Sequence, residues 1–228
     1  MFSGRIRDLK SIENSAAGLE SSSLQTFWRF ELSTSLIGTP VIGGIGVIDN
    51  LKRIVNIKTK KSGNLIMIVG KTLGHIDQSV FLQENFSIYG GPPPEINLVN
   101  EKNNGLVVLK LINENLALSV HDISSGGILV SLAEMSISSG LGLKIYKPKK
   151  LTNSFEYFFG EDQGRYLIEI SKNNLKKIET FLKQNSVFFE VVAEVQNDIF
   201  EIEKTFSLKT KDLYNYNNQW YSKYNAIN

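Results

Sequence analysis

Cysteine is absent from the 228 residues, which removes disulfides, thiolate metal sites and a cysteine nucleophile and fits a reducing compartment. Histidine occurs only at His75 and His121. Neither stands at metal-ligand spacing from the other or from nearby acids, and two histidines define no Ser-His-Asp arrangement. Long apolar runs are missing too: the strongest, Leu65 to Val69, gives way at once to Gly70 and Lys71, far short of the ~18 residues that span a bilayer. No membrane span is expected. The basic start, Met1 to Lys10, has no apolar stretch behind it of the kind a secretory signal needs, so the expected location is the cytoplasm. Charge of one sign is not in excess, with 25 basic and 23 acidic residues and a net charge of +2. Composition therefore gives no reason to expect a nucleic-acid partner. Neither a G-x-x-x-x-G-K-[ST] loop nor a G-x-G-x-x-G opening a helix is present, and GGIG at Gly43 to Gly46 is too short to stand for one.

What is present suits a folded domain. At 42% hydrophobic and 21% charged, the chain can bury a core for one large domain, or for one domain and part of another. Three of its five prolines, Pro92 to Pro94, mark a rigid extended loop. Residues 1–38 show no clear periodicity and are expected to be poorly ordered or loosely packed. Thr39 to Asp49 combines β-branched residues with three glycines and reads as the last strand of a preceding domain. A boundary is expected near residue 60, so that 39–60 closes one domain and 61–228 forms the next.

Beyond it the pattern alternates. Leu65 to Val69 and Ala117 to Val120 read as buried strands, with a helix between them carrying Val107, Leu111 and Ile112. Ile128, Leu129, Leu132 and Met135 place an apolar stripe on a helix that Gly140 ends. Tyr166 to Ile170 alternates as a strand, and Leu175, Ile178 and Leu182 mark another helix. Phe188 to Val195 and Ile199 to Ile202 read as a hairpin about Asn197-Asp198. The aromatic tail with Tyr214, Tyr216, Trp220, Tyr221 and Tyr224 is expected to dock on the domain's own surface. The fold class is α/β, a sandwich on a mixed sheet.

Two segments carry chemistry. HDISSGG, with His121, Asp122, Ser124, Ser125, Gly126 and Gly127, joins a strand to a helix; glycines admit close approach and the first-turn N–H groups favour an anion. The same residues equally describe a serine N-cap and a tight turn. FGEDQGR places Gly160, Glu161, Asp162 and Arg165 before a strand. Its carboxylates suit magnesium and its arginine a phosphate, or the two form an ion pair that fixes the loop. His75, in KTLGHIDQS, reads as a solvated loop histidine.

Five segments in order, TPVIGGIGVIDN, GKTLGHIDQSVFL, GPPPEINL, HDISSGGILVSLAEM and FGEDQGRYLIEI, resemble the closing third of the phosphoribosylformylglycinamidine synthase synthetase subunit. The tail FSLKTKDLYNYNNQWYSKY resembles that family's ending. The resemblance implies a PurM C-terminal-like domain with helices flanking a mixed sheet, preceded by a remnant of a PurM N-terminal-like, ATP-grasping domain. It implies a role in purine biosynthesis, in which ATP and magnesium activate the formylglycinamide oxygen of a ribonucleotide and glutamine-derived ammonia gives the amidine. It also implies a glutaminase subunit and a small PurS-type subunit as partners. The family's catalytic histidine and principal metal ligands lie upstream of the matching region, so no catalytic or metal residue is expected in this chain, and the isolated chain is expected to be inactive. The family's Ser-Gly-Asn-Val-Ser and Tyr-Asn-Glu segments have no counterpart before Thr39; Ser22 to Phe30 stand there instead. That departure leads to the expectation of a truncated reading frame with a misread or foreign beginning. The alternative to a piece of a ligase is a non-catalytic α/β domain that binds a nucleotide or a partner.

Overall fold

A computed structural model of the chain describes residues 5–6, 30–31, 51–148 and 153–225. Its contacts divide into two units, Met1–Asp49 and Asn50–Asn228. In the first, β1 (Arg5–Ile6) pairs antiparallel with β2 (Phe30–Glu31). The other expectations for residues 1–38, and the strand over Thr39 to Asp49, lie outside the described residues.

The second unit is built on seven strands: β3 (Leu65–Val69), β4 (Ser119–Asp122), β5 (Gly142–Ile145), β6 (Tyr166–Ile170), β7 (Phe189–Gln196), β8 (Ile199–Ile202) and β9 (Phe206–Lys209). Their order is β4-β6-β3-β7-β5-β8-β9. All neighbours run antiparallel except β5 and β8, which are parallel. Among the described residues six α-helices accompany them: α1 (Val80–Phe86), α2 (Leu98–Asn113), α3 (Gly127–Ser139), α4 (Ser154–Phe159), α5 (Leu175–Gln184) and α6 (Thr210–Asn225).

The central strand shows why helices cover both faces. Every residue of LIMIV in β3 is buried, and successive side chains point to opposite faces. Leu65, Met67 and Val69 pack with Val107, Val108 and Leu111 of α2 and Ile178 and Leu182 of α5. Ile66 and Ile68 pack with Ile128, Leu132 and Met135 of α3 and with Tyr157 and Phe158 of α4. A strand buried on both faces reads as a continuous apolar run rather than an alternation, and each such side chain contributes roughly 1.5–3 kcal/mol. The α/β sandwich with a mixed sheet is therefore the observed fold. Helix α3 stops where its sequence says: Gly140 takes φ 77° and its N–H returns to Ser136 O at 2.8 Å.

Polar ties join the segment before β3 to the sheet. The buried Glu169 carboxylate of β6 accepts Lys60 N at 2.9 Å, Asn64 Nδ2 at 2.7 Å and Ser119 Oγ at 3.0 Å. Val120 N donates to Asn56 O, so residues 51–60 lie with the second unit.

Two expectations need correction. β7 and β8 form as strands but not as a hairpin, because β5 lies between them and pairs with both. Gly142 stands beneath the Asn197-Asp198 crossing, donating its N–H to Asn197 O, and a Cβ there would overlap the Ile199 backbone. Sequence reading missed β5 because GLKI is too short to show a period. The aromatic tail does not lie on the domain: it forms α6, whose Tyr214, Tyr216, Trp220, Tyr221 and Tyr224 are all exposed.

Candidate functional site

HDISSGG, FGEDQGR, GKTLGHIDQS and the GGPPP loop meet at one end of the sheet. The contacts that join them come from two carboxylates, a guanidinium, an amide and an imidazole meeting the backbone, not from Ser124 or Ser125. Neither Ser124 nor Ser125 caps α3; the N-cap is Gly126, at φ 81°, without a side-chain cap bond. What sits at that helix start is Glu161, whose Oε1 accepts Gly126 N and Val80 N, each at 2.8 Å. An internal carboxylate thus takes the place predicted for an anion. Gly127, at φ 71°, brings the turn against FGEDQGR: a Cβ there would lie 2.7 Å from Phe158 O and 2.8 Å from Gly160 O.

Asp162 does the same for the loop after β3. Its carboxylate accepts Leu73 N at 2.9 Å, Gly74 N at 3.0 Å and His75 N at 3.1 Å, and Glu161 N donates to His75 O at 2.7 Å. Behind it lies Arg165, with its side chain wholly buried. The guanidinium donates to Gly160 O at 2.7 Å, Asp162 O at 3.1 Å and Thr72 Oγ1 at 3.2 Å, and stands 3.6 Å from Asp162 Oδ2. Burial pulls the guanidinium below its ordinary range, and Asp162 opposes that shift; so fork-shaped a donor set remains charged. Of the two sequence readings of Arg165, the geometry matches the ion pair that fixes the loop.

Gln78 donates to Gly91 O, and His75 Nε2 lies 3.1 Å from Pro92 O, which ties the proline loop in. His75 is half-buried rather than solvated. His121 Nε2 lies 2.9 Å from Glu134 Oε2 and Nδ1 lies 3.3 Å from Asp122 Oδ1, with the imidazole mostly covered. Ser124, Ser125 and Asp122 are exposed. Among the described residues no group of three or more His, Asp or Glu stands close enough to hold a metal ion, and no helix is long and apolar enough to cross a membrane.

Beside these loops lies a cavity of about 560 Å³, bordered by Lys71, His75, Glu101, Asp162 and Gln163 and by the apolar Leu73 and Phe188. FGEDQGR reaches it through Asp162 and Gln163, but HDISSGG does not, so the two motifs share contacts and not this cavity. Sequence reasoning missed Ser79, which caps α1 through Leu82 N, although a serine directly before an apolar run is a helix-start signal. It also missed Thr72, Asn104 and Glu169, whose partners are distant in sequence and leave no local mark.

Residues 61–203 match the family described as AIR synthase related protein, C-terminal domain. The chain is 44% identical over 186 residues to the phosphoribosylformylglycinamidine synthase subunit PurL of Pelagibacter ubique, covering 82% of this chain and 26% of the relative. To the subunit of the same name in Bartonella bacilliformis it is 35% identical over 190 residues, covering 83% and 26%. The chain thus spans about a quarter of the length of these relatives. Among solved structures it is similar to T. maritima PurL complexed with FGAR, at TM-score 0.63 and 19% identity over 72% of this chain and 30% of the other. The likeness to T. maritima PurL complexed with ATP has TM-score 0.55 over 72% and 28%.

Proposed function

The chain belongs to the AIR synthase-related family, by its C-terminal domain, and from that premise we propose that it serves as the closing domain of a phosphoribosylformylglycinamidine synthase synthetase subunit. The observation that carries this reading is the 44% identity spread over 82% of the chain, which takes in all the motif loops. In the reading, the subunit is an ATP-dependent carbon–nitrogen ligase of the amidoligase type. ATP with magnesium supplies phosphoryl activation of the formylglycinamide oxygen, and ammonia from a glutaminase subunit displaces the phosphate. A small PurS-type subunit completes the complex, the work is done in the cytoplasm, and the chain by itself is inactive.

The part assigned to this chain is a wall of the site. Glu161, Asp162 and Arg165 spend their polar atoms on the loops, and Gly127 and Gly160 let those loops touch. Asp122, Ser124 and Ser125 at the open side of the turn, with His121 held behind them by Glu134, are left to face a ligand.

The test is turnover of formylglycinamide ribonucleotide with ATP, magnesium and ammonia. The 228-residue chain alone should give none, and the chain together with the remainder of a relative's subunit should restore it. Turnover by the chain alone, or none in combination, overturns the reading. Tight nucleotide binding by the chain alone without complementation would instead support a non-catalytic binding domain.

A further inference from the structure

The apolar stripe of α6 runs on after the body beneath it has ended. Thr210 is buried and Leu213 packs on the cluster that includes α3, but every described side chain from Tyr214 onward is exposed. At 100° per residue, Trp220 and Tyr224 fall within about 20° of Leu213 around the helix, with Tyr221 and Tyr216 on the two flanks. The stripe that docks the first turn therefore continues for roughly 16 Å as an uncovered aromatic face. Trp220 is 65% and Tyr224 69% exposed.

This helix is a poor one to stand in water alone. Its sequence, TKDLYNYNNQWYSKYN, carries four asparagines and few charges, and asparagine and tyrosine are weak helix formers. Sixteen such residues are marginal without tertiary packing. Buried tyrosine and tryptophan, by contrast, are the residues that dominate interface energies.

The root of the helix lies beside the segment that leads into the domain. Ser136 and Ser139 stand one turn apart near the end of α3. Ser136 Oγ lies 3.5 Å from Thr210 Oγ1, at the start of α6, and Ser139 Oγ accepts Thr59 Oγ1 at 2.7 Å from the segment that leads into the domain. Ile57 and Leu213 pack against the same cluster. The polypeptide leading into β3 and the root of α6 thus share one corner, and about three-quarters of the relative's length lies outside the stretch matched here. We propose that the Trp220–Tyr224 face of α6 is the docking surface for the rest of the synthetase subunit, and that α6 becomes a stable helix only when so covered. This rests on the ligase reading above.

The experiment grafts residues 51–228 of this chain into the Pelagibacter ubique relative in place of the corresponding stretch, and compares amide hydrogen exchange over 214–225 in the chimera and in the 228-residue chain. Exchange there should be fast in the chain alone and at least tenfold slower in the chimera. Trp220→Glu with Tyr224→Glu should restore fast exchange in the chimera while β3 to β9 stay protected. Equal exchange in both proteins overturns the proposal, and so does protection in the chain alone that rises with its concentration, which would make a second copy the occupant. Should the chimera not fold, co-expression of the tagged chain with the relative's remaining residues decides the matter: co-purification lost in the double variant supports the surface, and its absence or persistence in the variant refutes it. Turnover is read on the same preparations. Protection without turnover removes the ligase reading and leaves the surface, whereas turnover without protection removes the surface alone.

Discussion

Replacing Gly127 by alanine separates a packing role for the HDISSGG turn from a ligand role, and Gly140→Ala is its control. Both residues have φ above 70°, which costs an L-residue about 1 kcal/mol. At Gly140 a Cβ meets nothing within 4 Å, so that backbone term should be the whole effect. At Gly127 the Cβ would lie 2.7 Å from Phe158 O, 2.8 Å from Gly160 O and 2.8 Å from Phe159 C. These are main-chain atoms of α4 and its end, and no rotamer can clear them. Parting the two segments also loosens the Glu161 bridge to Gly126 N, for an added ~1–3 kcal/mol of overpacking. The expected loss is about 3 kcal/mol at Gly127 against about 1 at Gly140, a large part of a typical domain's 5–15 kcal/mol. Urea unfolding of the 228-residue chain followed by far-ultraviolet circular dichroism measures both. If Gly127→Ala costs no more than Gly140→Ala, the interlock of HDISSGG with FGEDQGR is not what holds this end of the domain, and a reserved ligand space at Gly127 becomes the better account.

Arg165→Met should cost about 3–5 kcal/mol in the same urea titration, since it strips Gly160 O of its donor and the buried Asp162 carboxylate of its counter-charge; a loss under 1 kcal/mol would contradict its buried pairing. Glu161→Ala should speed amide exchange at Val80 and Gly126 selectively, and unchanged rates there would deny the bridge. Gly142→Ala should prevent a cooperative transition or lower its urea midpoint severely, because the chain crosses over it at Ile199. Burial, then Glu190, holds the Tyr157 phenol well above its ordinary range. A raised folded pKa means stability that is intact below the unfolded value, about 10, and lost as pH rises beyond it. Urea midpoints should thus fall above about pH 10, and Tyr157→Phe should flatten that fall; an equal slope in the variant would show the phenol plays no part.

How far the sequence reached depends on the range of the interaction. β3, β6 and α5 were legible because each declares itself within a few residues, by a continuous apolar run, an alternation or a helical spacing. The end of α3 was legible from Gly140 alone. The site was legible as a list of segments and not as an arrangement: nothing local to HDISSGG says that the acid seated on its turn comes from Glu161, or that Arg165 is sealed behind Asp162. The hairpin error has the same origin, since Asn197-Asp198 is a sound turn signal and only β5, from far upstream, denies it. The aromatic tail misled because its residue types speak of burial, while the helix they form leaves them exposed in the described structure.

The placement of β5 also bears on how the domain reaches its fold. Asn197-Asp198 joins two strands of high β propensity, and nascent chains form such neighbouring hairpins in microseconds. Here that fast event is the wrong one, since β7 and β8 must be held apart until Gly142 to Ile145 slides in between them. The pairing of β5 with β7 and β8 is then committed late, after a long loop has closed. A transient β7–β8 hairpin would be an off-pathway trap that must reopen, so the slow step in refolding should be unmaking a local contact rather than finding a distant one.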